Sequence, residues 1–170
     1  MARVYLSLGS NIEAYTYIAA ALDELAESFG ELIISSVFES EAVGFDGDNF
    51  LNLVVGIDTS LPVGSLSKQL KQIEDAHGRE RSGPKYSGRT LDIDILTYDD
   101  KQGVIDGVVL PRDEVLKNAF VLWPLAEVAG DECHPQLGVS YQTLWQQYRV
   151  PQKLWKIDFE WRQKKISFAQ

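Results

Sequence analysis

Asp92 and Asp94 stand two residues apart in the run Leu91-Asp92-Ile93-Asp94-Ile95. Successive side chains of a strand point to opposite faces, so the two carboxylates share one face and Leu91, Ile93 and Ile95 share the other. Two residues of rise separate the acids by roughly 6.6–7 Å. Carboxylates at that spacing can converge on Mg²⁺, a hard ion that takes oxygen ligands and keeps phosphates and waters in its shell. A pair of ions held this way would polarise both ends of a phosphoryl transfer. The alternation by itself more often marks an amphipathic strand with a solvated acidic face.

The segment just before the strand shifts that balance. Arg79, Arg81, Lys85 and Arg89 fall within 11 residues of a chain whose net charge is −9. Guanidinium groups grip phosphate oxygens bidentately. Gly78, Gly83 and Gly88 leave the segment free to close over bound charge and exclude water. Alone, such a run reads as a solvated loop. Beside two candidate metal ligands it points to phosphate chemistry.

Composition sets the frame for this chemistry. A chain of 170 residues with 45% hydrophobic and 24% charged residues can bury a core of its own. The acidic balance argues against non-specific nucleic-acid binding, which needs cations spread over a face. No apolar run approaches the roughly 18 residues of a membrane span. The start, Met1-Ala2-Arg3-Val4-Tyr5-Leu6, lacks the pattern of a signal peptide. Cys133 is the only cysteine, which excludes an intrachain disulfide. The expectation is a cytoplasmic protein without membrane or nucleic-acid partners. His77 and His134 have no ligand spacing and read as structural residues, so zinc is not expected.

The elements that must position the acids follow from periodicity. Val4 to Leu8 predicts a strand ending in a turn at Gly9-Ser10-Asn11. Ile18, Leu22, Leu25 and Phe29 predict a helix stopped at Gly30. Strands are predicted at Leu32 to Phe38 and at Phe50 to Ile57, with a loop between them. Pro62 opens a second helix whose buried stripe is Leu66, Leu70 and Ile73. Leu91 to Thr97 is the fourth strand. The order β-α-β-β-α-β is that of a ferredoxin-like α+β sandwich. Val104 to Leu110 adds a hairpin strand, and Phe120 to Val128 and Tyr141 to Tyr148 read as short helices. In the tail, Trp155, Ile157, Phe159 and Trp161 alternate with Lys156, Asp158, Glu160 and Arg162, which predicts one strand with an apolar face. The whole of 1–170 is expected to form one domain. Residues 151–170 are expected to be an extension that packs on it or on a partner, leaving a monomer or a homodimer through the C-terminal strand.

Gly78-Arg79-x-Arg81, followed by Gly88-Arg89-Thr90-Leu91-Asp92-Ile93-Asp94-Ile95-Leu96, resembles the signature of the hydroxymethyldihydropterin pyrophosphokinases. Leu8-Gly9-Ser10-Asn11, Phe50-Leu51-Asn52, Ile73-Glu74 and Phe120-Val121-Leu122-Trp123-Pro124-Leu125 are similar to further segments of that family and fall in its order. The likeness runs from about residue 3 to residue 135 and leaves the tail beyond 150 unaccounted for. It implies a ferredoxin-like fold and a site with a pair of Mg²⁺ ions. It also implies transfer of pyrophosphate from ATP to 6-hydroxymethyl-7,8-dihydropterin, with release of AMP, in folate biosynthesis. By the same resemblance Asp92 and Asp94 hold metal, and Arg79 and Arg89 contact the triphosphate during transfer. Arg81 and Tyr86 belong to a closing loop. Glu74, Arg81, Ile95 and Arg112 join the ATP subsite, Glu74 by orienting ATP or the loop arginines. Ser40, Val43, Phe50, Asn52 and Phe120 form the pterin subsite, Phe50 and Phe120 as stacking rings.

The chain departs from that pattern after Leu110-Pro111. Arg112-Asp113 replace the usual His and aromatic, and Arg112 is expected to keep phosphate contact through its charge; Asn118 replaces a basic residue, for which Lys117 is expected to stand in. A divergent relative acting on another heterocyclic alcohol, or one that only binds nucleotide or pterin, is the alternative reading.

Overall fold

The computed structural model describes residues 1–41, 48–78 and 90–170. β1 (Ala2–Ser10) buries Val4, Leu6 and Leu8 on one face and turns Tyr5, Ser7 and Gly9 to the other. It runs on through Gly9 and Ser10, which the sequence assigns to a turn. α1 (Ala14–Phe29) buries Ile18, Ala21, Leu22 and Leu25, spaced three and four apart as one helix face requires. Gly30, at φ 81°, ends it. β2 (Ile33–Ile34) and β3 (Val37–Ser40) replace the single strand expected at Leu32 to Phe38. The break has a cause: the Ser35 N–H donates to the Val54 carbonyl at 3.0 Å, and its Oγ accepts from the Val54 N–H at 2.9 Å. That exchange bends the strand out of register.

β4 (Phe50–Thr59) follows, then α2 (Val63–Ala76) behind Pro62, with Leu66, Leu70 and Ile73 buried as expected. β5 (Asp92–Tyr98) leads to a hairpin of β6 (Gly103–Ile105) and β7 (Val108–Leu110). Three helices come next: α3 (Glu114–Lys117), α4 (Ala119–Ala129) and α5 (Tyr141–Gln147). β8 (Leu154–Ile157), β9 (Phe159–Trp161) and β10 (Lys164–Ser167) close the chain.

The main sheet has the order β5-β1-β4-β3-β8, with β2 also on β4, and every pairing is antiparallel. This is the ferredoxin-like βαββαβ arrangement. α1 and α2 cover one face, over Val4, Leu6, Leu8, Leu53, Val55, Ile93 and Ile95. α4 and α5 cover part of the other, over Tyr5, Val54 and Leu96. Each fully buried leucine or isoleucine stabilises the layers by about 1.5–3 kcal/mol relative to exposure.

The tail corrects the one-strand expectation. β8 pairs with β3, Val37 opposite Ile157 and Ser40 opposite Leu154. The chain breaks at Asp158, whose carboxylate accepts from the Ala169 N–H at 2.8 Å and pairs with Lys165 at 3.1 Å. β9 and β10 then fold back as a separate hairpin. Phe159 is buried and stacks on Tyr15 of α1 with ring centroids 5.3 Å apart, and Trp161 Nε1 donates to Asp23 at 3.0 Å. The extension 151–170 thus packs on its own chain. Trp155 is the member of the apolar series left 40% exposed.

Candidate active site

The site face of the sheet follows from register. Gly9 pairs with Asn52 on one side and with Asp92 on the other. Their neighbours Leu8, Leu51, Leu53 and Ile93 belong to the core under α1 and α2. Asp92, Gly9 and Asn52 therefore form one row on the opposite face, and Asp94 and Ser7 lie in the next row. Gly9 contributes no side chain to this row. A Cβ there would meet Asn52 Oδ1 at 2.9 Å, so the glycine lets the amide lie directly against the β1 backbone.

Asn52 is buried and donates through Nδ2 to Ser40 Oγ at 3.2 Å, which brings two expected pterin-side residues into contact. Phe50 pairs with Ser40 at the start of β4. Phe120 rises from α4, which packs on β4 and β3. Val43 lies outside the described residues, as do Arg79, Arg81 and Arg89 together with Lys85 and Tyr86. At the stem of the β3–β4 connection, Asn11 Nδ2 donates to the Asp48 carbonyl at 3.1 Å.

β5 is an edge of the sheet, and its outer backbone finds partners beyond β1. Glu74, buried on α2, accepts the Ile93 N–H at 2.6 Å. The sequence assigns Glu74 to ATP or to the loop arginines. Its carboxylate also fixes the carboxylate-bearing strand to α2. Ile95 keeps its side chain in the core, so what it can offer a nucleotide is backbone on the same edge as Ile93.

Arg112 is brought in by an irregularity. The β1–β5 pairing slips between Tyr5–Thr97 and Leu6–Ile95, and the Leu96 carbonyl accepts the Arg112 N–H at 2.9 Å. Bulges of this kind re-aim side chains at functional rims. Arg112 Nη2 then lies 3.7 Å from Asp94 Oδ1, while Nε and Nη2 are both 2.9 Å from Glu114 Oε1. Lys117 is engaged elsewhere, 3.7 Å from Asp113 Oδ2, and both side chains are largely exposed. Asn118 joins α3 to α4, its carbonyl accepting from the N–H groups of Val121 and Leu122. Of the two cations expected to compensate, Arg112 for the usual His and Lys117 for the base at Asn118, Arg112 is the one beside Asp94. Glu114 and the close approach of Gly9 were missed by sequence reasoning. The Arg-x-Glu spacing was the only available signal for the first.

Farther along the same face, the pKa of the Tyr5 hydroxyl is pushed up to about 12, mainly by burial and further by the Glu132 carboxylate to which it donates. That bond ties β1 to the α4–α5 connection. Thr90 Oγ1, just before Asp92, is buried without a hydrogen-bond partner among the described residues. No group of three or more His, Cys, Asp or Glu is placed for a metal among the described residues. The donor set here is two aspartates, which suits an ion that completes its shell with phosphate and water.

A sequence model described as 7,8-dihydro-6-hydroxymethylpterin-pyrophosphokinase (HPPK) matches residues 5–130. The chain belongs to the HPPK family. It is 38% identical over 137 residues to the 2-amino-4-hydroxy-6-hydroxymethyldihydropteridine pyrophosphokinase of Aquifex aeolicus, covering 79% of this chain and 85% of that one. It is 40% identical over 135 residues to the enzyme of the same name from Methylorubrum extorquens, covering 77% and 85%. Folic acid synthesis protein fol1 of Pneumocystis carinii is 31% identical over 172 residues, taking in 98% of this chain and 23% of that protein. The crystal structure of Plasmodium falciparum HPPK-DHPS with pterin and p-hydroxybenzoate superposes with a TM-score of 0.68 at 14% identity. That match covers 98% of this chain, which spans about half of the longer one (48%), and it supports the HPPK fold. No helix among the described residues is long and apolar enough to cross a membrane.

Proposed function

We propose that this chain transfers pyrophosphate from ATP to the hydroxymethyl oxygen of 6-hydroxymethyl-7,8-dihydropterin and releases AMP, a step of folate synthesis. The observation that carries the reading is the row Asp92–Gly9–Asn52, with an acid, a bare glycine and a buried amide side by side. In the reaction the hydroxyl oxygen bonds to the β-phosphorus. The bond from that phosphorus to the oxygen bridging it to the α-phosphate breaks, its electron pair leaves on AMP, and the hydroxyl proton is lost to water.

The Asn52 amide offers both a donor and an acceptor to the polar edge of a pterin, and Ser40 holds it in place. Phe50 and Phe120 are the proposed faces for the ring. Arg112 would neutralise charge on the polyphosphate, and the Thr90 hydroxyl, without a partner among the described residues, is a donor that an anion oxygen would satisfy. Arg79, Arg81 and Arg89 keep the phosphate-binding roles that the family resemblance implies. Asp92 and Asp94 would hold Mg²⁺, which when bound draws charge from phosphate oxygens and acidifies a coordinated hydroxyl. The substrates are soluble, and the cytoplasm is the proposed compartment.

AMP formation from MgATP and the pterin, measured beside Asp94→Ala, tests the proposal. AMP that depends on both the pterin and the aspartate supports it. Folded wild-type protein that forms no AMP overturns it.

A further inference from the structure

We infer that Glu114 is a positioning residue for the triphosphate subsite, holding the Arg112 guanidinium beside Asp94 while keeping it from closing onto that carboxylate. The inference rests on the reading of Arg112 as a phosphate ligand and names the group that sets its geometry.

Arg112 is fixed at both ends. Its backbone N–H is bound to the Leu96 carbonyl at 2.9 Å, where the β5 pairing slips. Its side chain faces two acids, and distance decides between them. Nε and Nη2 reach Glu114 Oε1 at 2.9 Å, within hydrogen-bonding range, whereas Asp94 Oδ1 lies 3.7 Å from Nη2, beyond it. Of the five guanidinium N–H donors, the Nε–H donates to Glu114, Nη2 pairs with the same oxygen, and among the described residues the rest remain for phosphate oxygens. Glu114 is itself held, because it begins α3 and the next residue, Val115, is fully buried. Its carbonyl also accepts the Asn118 N–H at 3.0 Å.

Both members of the pair are about 38% exposed, so solvent screens their attraction and the contact contributes little to folding. Its main effect is on orientation. A long arginine chain loses much rotamer freedom when it is ordered for a ligand, and an arginine already ordered loses less on binding. Without Glu114 the nearest acid to Arg112 among the described residues is Asp94. The guanidinium would then close on the carboxylate that the reaction needs.

Glu114→Ala, Glu114→Gln, Arg112→Ala and the double variant Arg112→Ala/Glu114→Ala would be compared in the full chain. The readouts are the KM for each substrate in AMP formation, ATP binding by calorimetry, and thermal unfolding. Glu114→Ala is expected to raise the KM and Kd for ATP about tenfold, the scale of a misplaced binding group. The pterin KM and the unfolding temperature should hold. Glu114→Gln, with the same shape and no charge, should fall between wild type and alanine. The double variant should be no worse than Arg112→Ala. ATP affinity unchanged in Glu114→Ala, or a Glu114 effect that persists in full without Arg112, overturns the inference. If Arg112→Ala leaves ATP affinity intact, the phosphate-ligand reading fails and the inference with it. If the alanine variant does not fold, Glu114→Gln decides.

Discussion

Gly9 and Asn52 face one another across the β1–β4 pair, so closely that a methyl group on Gly9 would stand 2.9 Å from the Asn52 side-chain oxygen. Asn52 is buried and held by Ser40, so it cannot swing away freely. Gly9→Ala should push the amide off its position and raise the pterin KM about tenfold, with the ATP KM little changed. Steady-state kinetics with each substrate varied checks this. Equal changes in both constants would place Asn52 outside the pterin subsite.

Metal removal gives a second test. Chelation should stop AMP formation, and added Mg²⁺ should restore it. Asp92→Asn and Asp94→Asn should each lower the rate at least about 100-fold. Both aspartates are only half-buried, so thermal unfolding should move little. A chelated enzyme that still releases AMP would remove the metal from the proposal.

Ser167 should matter for stability alone. It is fully buried, its Oγ accepts the Val37 N–H at 2.8 Å, and it donates to the Ile157 carbonyl at 2.6 Å. Ser167→Ala leaves a buried N–H unmatched, which costs about 1–3 kcal/mol. Urea unfolding would show the loss, and kinetic constants should stay near wild type.

His134 should give the fold an acid-side weakness. It is buried, and its Nδ1 accepts from the N–H groups of Gln136 at 3.2 Å and Leu137 at 3.3 Å, so the neutral ring is the one that fits. Burial lowers its pKa from 6.5 in the folded state. The unfolded chain therefore binds the extra proton first. Its contribution to stability is complete above pH 6.5 and is lost as pH falls from there toward the depressed folded value. The slope is at most about 1.4 kcal/mol per pH unit. Denaturation midpoints between pH 7.5 and 5 should show the fall, and His134→Gln should flatten it.

What the sequence discloses depends on how local the cause is. The shared face of Asp92 and Asp94, the stripe Leu66, Leu70 and Ile73, and the stop at Gly30 all follow from spacing within one element. The β-α-β-β-α-β order follows from those elements in turn. The break at Ser35 does not, because it is made by Val54, 19 residues away. Nor does the path of the tail, where Asp158 is held by Ala169 and Lys165 and Phe159 settles on Tyr15. Within the site, Gly9 reads as a turn residue until its two cross-strand partners are known. Arg112 reads as a bare substitution until the slip at Leu96 shows where it is delivered.

The row across β5, β1 and β4 also works as a ruler. Two interstrand steps of about 4.8 Å set the distance from Asp92 to Asn52, and the backbone hydrogen bonds between the strands hold it fixed. In the proposed reaction an acceptor would have to reach from the amide to the acids in one rigid length. A fused bicyclic ring with a one-carbon arm has that reach, whereas a single-ring alcohol would have to give up one end to touch the other. Selection by length would thus come from the sheet itself, ahead of any contact made by the loops.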